Sequence, residues 1–164
     1  GIAAAVGWDG RQQAGGLVSL VFFATAVAQL AARSLSSGAA IVLGSLACAA
    51  GWALTALATQ WGALPPALLG AVLIGAGAGL DLLGSAGLIG LISPPDARAE
   101  IYSAYLCVAF SALGGTVLLT GQALDRAPLG AVTWLVTAVV ALLAGAVGYG
   151  VRRILGPAAG GGRG

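Results

Sequence analysis

Hydrophobic positions in this chain gather into five long runs, approximately Gly15–Ala32, Gly38–Thr59, Pro66–Ile92, Ala97–Leu124 and Pro128–Val151. Each is long enough, or nearly so, to cross about 30 Å of hydrocarbon as a helix. The breaks between them are short and carry helix punctuation. Arg33-Ser34-Leu35-Ser36-Ser37-Gly38 is polar, and Gln60 to Pro66 holds Trp61, Gly62 and two prolines. Ser93-Pro94-Pro95-Asp96 reads as a capping box, with the Ser hydroxyl accepting from first-turn amides and Asp96 complementing the positive helix end. Asp125-Arg126-Ala127-Pro128 closes the fourth run and opens the fifth. Connections this short force antiparallel neighbours. The pattern predicts an all-α fold, a polytopic membrane bundle of about five helices over residues 15–153. Residues 1–14 are expected to form an extracytoplasmic segment and residues 154–164, rich in Gly, a disordered cytoplasmic tail.

Composition strengthens the membrane reading. Hydrophobic residues make up 59% of the 164 and charged residues 7%, with a mean hydropathy of +1.01. Soluble domains carry about 25% charged residues, so this chain could not cover a water-facing surface. The net charge of +2 comes with seven scattered basic residues, all Arg, which argues against a nucleic-acid partner. The absence of Lys, His and Met beside 28 Gly suggests a GC-rich bacterial genome and hence a bacterial inner membrane. With no initiator Met, the chain is expected to be a fragment or a processed product. No signal peptide is expected at the N-terminus.

Arginine placement sets an orientation. The breaks after runs one and three, and the tail, hold Arg33, Arg98, Arg152, Arg153 and Arg163, whereas the opposite side holds Arg11 and Arg126. Positive charge favours the cytoplasm, so the C-terminus is expected inside and the N-terminus outside.

One residue breaks the apolar pattern. Asp81 is the only charge between Pro66 and Ile92, where an acid at the bilayer centre costs about 2.5–3.5 kcal/mol. Gly77 lies one turn before it, with Gly84 and Ser85 one turn after, on the same side of the helix. A carboxylate among such small neighbours has room for a water, a proton donor or a substrate group. It can equally staple two helices through a Ser or Thr hydroxyl. Gln29, near the inner end of the first run, and Tyr105, with Tyr102 near the inner end of the fourth, complete the candidate proton or substrate path. Gln122 sits near the outer end of the fourth run. The tyrosines, like Trp8 and Trp61, also suit headgroup depth, while Trp52 and Trp134 are expected to pack deeper.

Enzymatic chemistry finds little to work with. Gly75 to Asp81 does not fit a dinucleotide fingerprint, because Leu80 stands at the sixth position. No second acid at mid-depth pairs with Asp81. The lack of His removes a Ser–His couple. Cys48 and Cys107 are isolated and read as packing residues. No enzyme activity, metal or cofactor is expected. Gly75 and Gly79 form a GxxxG step, which Ala144 and Gly148 echo, and such steps let helices approach closely.

The segment Gly75 to Tyr105 (a glycine-rich span, then Ser93-Pro94-Pro95-Asp96-Ala97-Arg98-Ala99-Glu100, then Ile101-Tyr102-Ser103-Ala104-Tyr105) resembles the C-terminal half of a major facilitator superfamily transporter. The resemblance extends from about Gly15 to Arg153 and equates the five runs with helices 8–12 of that family. Of the family's Gly-x-x-x-Asp-Arg-x-Gly-Arg-Arg loop signature, Arg33 and Gly38 remain here. The resemblance implies a third helix that lines a central cavity, with Asp81 toward the substrate path. The first and fourth helices would contribute to the wall, and the second and fifth would face lipid. It also implies alternating access between two six-helix halves. The expected function is transport of a small molecule, with proton-coupled efflux as its mode. Expected partners are the lipid bilayer, the unknown substrate, and the missing N-terminal half or another membrane subunit. A non-transporting scaffold or assembly subunit is the alternative.

Overall fold

A computed structural model describes residues 10–155. They form five α-helices: α1 (Gly10–Ala31), α2 (Ser37–Trp61), α3 (Leu64–Ile92), α4 (Arg98–Leu124) and α5 (Leu129–Leu155). The described chain is thus all-helical. The helices follow the five apolar runs within a few residues, except that α1 starts at Gly10 and takes in residues expected to precede it. Residues 1–9, with Trp8, and the tail from residue 156 lie outside the described residues. Among the described residues, four helices are long and apolar enough to cross a membrane: α2, α3, α4 and α5 as far as Val151. Within α1, Gly15–Ala31 is a further, shorter apolar stretch.

Local chemistry explains most boundaries. Ser36 caps α2 by accepting from the Ala39 amide at 3.4 Å, and Gly62 ends it in the left-handed region at φ 59°. Pro65 and Pro66 fill the first turn of α3, where no intrahelical N–H is required. The expected capping box at Ser93 does not form. Ser93 instead terminates α3, its amide donating to the Ile89 carbonyl at 3.0 Å, and its hydroxyl is buried without a partner. The two prolines turn the chain, and Ala97 donates back to the Pro94 carbonyl at 3.2 Å. Helix α4 therefore begins at Arg98, beyond the reach of Ser93, with Ala97 at its N-cap and no side-chain cap.

Packing is built from glycine. A methyl group added at Gly77 would sit 2.6 Å from the Gly44 carbonyl oxygen, and one at Gly51 would sit 2.8 Å from that of Gly70. At Gly84 it would meet the Ser37 carbonyl oxygen at 2.7 Å. The contacts Ser37–Gly84, Gly44–Gly77 and Gly51–Gly70 each step seven residues along both helices, in opposite directions. Seven residues is the period at which two helices stay in contact while coiling about each other. The GxxxG step at Gly75 and Gly79 serves a different partner, lying against the backbone of Val21 and Thr25 on α1. Gly75 and Gly77 are two residues apart, hence about 200° around the helix, so α1 and α2 flank α3 on opposite sides. Helix α5 packs along α2, and α4 makes only sparse contact with α3 and α5. The order in space is a row, α1–α3–α2–α5. The resemblance puts the second helix on the lipid-facing outside; here it lies between two neighbours.

Residue sizes run opposite to those of a water-soluble core. Among the described residues, the buried apolar ones are mainly Ala24, Ala32, Ala40, Ala56, Ala58 and Ala71, and no large side chain is fully buried. Phe22, Phe23, Leu118 and Leu142 lie largely outside, Leu142 at 75% exposure. Small residues between helices and large apolar ones around them suit a solvent as apolar as leucine.

This packing makes a signed prediction. Gly115 has open space where a methyl would go, so Gly115→Ala should stabilise the protein by up to about 1 kcal/mol through helix propensity. Gly77→Ala should instead destabilise it by about 1–3 kcal/mol, because its methyl meets backbone. Unfolding in detergent micelles, followed by circular dichroism, compares the two.

Candidate functional site

Asp81 lies midway along α3, on the side that meets α2. Its half-buried carboxylate accepts a hydrogen bond from Ser45 of α2, with Ser45 Oγ 3.2 Å from Asp81 Oδ1. Ser45 is itself buried, and its hydroxyl also lies 2.9 Å from the Ile41 carbonyl oxygen one turn back on α2. Gly44 brings the α2 backbone to Asp81: a methyl there would be 2.5 Å from Oδ1 and 2.8 Å from the Asp81 amide nitrogen. Cys48, one turn further on α2, approaches Gly77 and directs its thiol to the Ile74 carbonyl oxygen at 3.6 Å. The site is thus a contact between two helices, with one acid, one hydroxyl and one thiol.

The candidate path residues divide. Gly77 and Gly84 lie beside Asp81, and α2 fills the space they leave: Cys48 and Gly44 against Gly77, Ile41 and Ser37 against Gly84. The room expected from their small size is taken up by a neighbouring helix. Ser85 is half-buried on α3. Gln29 belongs to α1, one turn beyond Thr25, and so to the opposite side of α3 from α2. Tyr105 sits on α4 and stacks on Tyr102, with ring centroids 6.1 Å apart. Neither Gln29 nor Tyr105 hydrogen-bonds to Asp81. Sequence spacing missed Ser45, since its partner is 36 positions away. The available signal was a hydroxyl one residue past Gly44, itself seven before Gly51.

A second polar link joins α1 to α3. The Thr25 hydroxyl lies 2.9 Å from both the Val21 and Gly75 carbonyl oxygens. A third joins α2 to α5, where Thr59 and Thr133 hydroxyls are 3.3 Å apart. Beyond that pair α2 and α5 enclose a groove of about 460 Å³ lined by Val42, Leu46, Ala49, Ala144, Gly148 and Tyr149, among others. A second cleft, of about 470 Å³, separates the end of α3 from the start of α4 and is lined by Ile89, Pro95, Arg98 and Tyr102, among others. Asp81 lines neither. Even exposed hydroxyls, Ser103 and Thr116, bond to carbonyls of their own helix, which satisfies them where water is absent.

No protein-family model, curated protein or solved structure matches this chain.

The two-acceptor geometry at Thr25 predicts a measurable difference. Thr25→Val removes an interhelical bond, worth about 0.6 kcal/mol on average and up to about 1.7 kcal/mol inside a membrane protein. Thr116→Val removes a bond internal to one exposed helix and should change stability by under about 0.5 kcal/mol. Denaturation in mixed micelles at fixed lipid ratio measures both.

Proposed function

We propose that this chain is an integral membrane transporter, or part of one, that moves a small molecule by alternating access with proton-coupled efflux as its mode. The observation that carries the reading is Asp81, an ionisable side chain halfway along an apolar helix and seated at a helix–helix contact. Intramembrane acids are costly and mark ion or substrate paths and proton relays. The five helices then all cross the bilayer, the C-terminus is cytoplasmic by the arginine distribution, and the membrane is a bacterial inner membrane. The likeness to helices 8–12 of the major facilitator superfamily supplies the transport mechanism. The sparse packing of α4 supports it too, since α4 has no buried residue and so has exposed surface for a further helical half.

A second reading draws on a specific observation. The Ser45–Asp81 bond and the backbone contacts beside it also suit a helix staple in a non-transporting assembly subunit. One pair of substitutions separates the readings. Asp81→Asn keeps an acceptor for Ser45 but cannot carry a proton, so it should abolish pH-dependent transport in proteoliposomes while expression and helix content persist. Unchanged transport would remove the acid from the mechanism. If Asp81 is only a staple, Asp81→Asn should preserve assembly and Asp81→Leu should disrupt it, as read by size-exclusion chromatography in detergent.

A further inference from the structure

We infer that Ser45 is a positioning residue that reverses its hydrogen bond as Asp81 gains or loses a proton, and so reports the state of the acid to the backbone of α2. The inference rests on the reading of Asp81 as a proton-carrying group. A serine hydroxyl has one hydrogen to donate and two lone pairs to accept with. Two acceptors compete for that hydrogen, the Ile41 carbonyl oxygen at 2.9 Å and Asp81 Oδ1 at 3.2 Å. It can serve only one of them well at a time.

Charge decides which. A hydrogen bond to an ionised acceptor is about twice as strong as one between neutral groups. With Asp81 ionised, the Ser45 hydrogen turns to Oδ1 and the Ile41 carbonyl loses its extra donor. When a hydronium ion gives a proton to the carboxylate at Oδ1 and leaves as water, the new O–H donates to Ser45 Oγ, and the Ser45 hydrogen returns to Ile41. The proton balance is one proton in and one O–H bond formed, with only rotation at Ser45. The α2–α3 link survives in both states with its polarity reversed.

The consequence falls on α2. Bonding of a Ser hydroxyl to the carbonyl four residues back often bends a helix, so the pull toward a bend at this turn is stronger while Asp81 is protonated. Val42 and Leu46, in the same turn, line the groove between α2 and α5. The titratable group that faces Asp81 from α2 is the Cys48 thiol. The other α2 neighbours, Ile41 and Gly44, and the α1 residues packed on the far side of α3, Val21, Ala24 and Thr25, carry no titratable group.

Infrared difference spectroscopy of the full chain in lipid nanodiscs, with pH as the perturbation, tests this. A protonated-carboxyl band that appears on acidification and is absent in Asp81→Asn identifies the acid. Ser45→Ala should shift that band to higher wavenumber, since the acid loses its acceptor, and should abolish the accompanying change in the Ile41 amide carbonyl, read by ¹³C labelling. Ser45→Thr, which retains the hydroxyl, should restore both. A band that titrates normally and is unmoved by Ser45→Ala would overturn the role of Ser45 and leave Asp81 as the proton carrier. A wild-type protein with no titrating carboxyl band would overturn both.

Discussion

The close approach of the α2 and α3 backbones is the contact on which the rest of the structure depends. It exists because glycines recur at seven-residue steps, Gly44 and Gly51 on one helix and Gly70, Gly77 and Gly84 on the other, so that backbone meets backbone at those positions. In lipid, helices gain nothing by hiding leucine from leucine. They associate by dispersion between closely fitted surfaces and by hydrogen bonds across them. A helix pair with carbonyls in van der Waals reach of the facing glycines gains both. The same contact fixes where Asp81 can go, because the α2 backbone at Gly44 occupies the space beside its carboxylate.

Three polar links reinforce the row of helices at different heights: Thr25 to Gly75, Ser45 to Asp81, and Thr59 with Thr133. Each joins a different helix pair, and together they span the row from α1 to α5. Helix α4 has no such link. Its hydroxyls at Ser103 and Thr116 bond within the helix, and its small residues Gly114, Gly115 and Gly121 have open space around them. The contrast follows from chemistry more than from sequence length. Glycines lie against facing backbone where α3 meets α1 and α2, and those of α4 meet nothing.

The placement of Asp81 ties fold to function. An acid in an apolar interface is tolerated when a donor meets it, and Ser45 supplies that donor from a helix already held close. Asp81 lines neither of the two clefts and is half-buried.

Much of the fold was legible in the linear pattern, because span length and apolar runs are local properties: five helices, their punctuation at Ser36, Gly62 and Pro65-Pro66, and the isolation of Asp81. The GxxxG step at Gly75 was legible as a packing device, though its partner helix was not. Reading failed where distance in sequence separates partners. Ser93 looked like a cap because four residues matched a motif, yet the turn made by Pro94 and Pro95 placed the helix start beyond its reach. The small residues around Asp81 looked like free volume, and tertiary packing filled that volume with α2. Sequence alone determined which segments must be helical and which solvent suits them, since hydrogen bonding along one helix and transfer to lipid depend on near neighbours. Only the tertiary structure decided that Asp81 meets Ser45, because that pairing depends on the register in which two glycine surfaces fit.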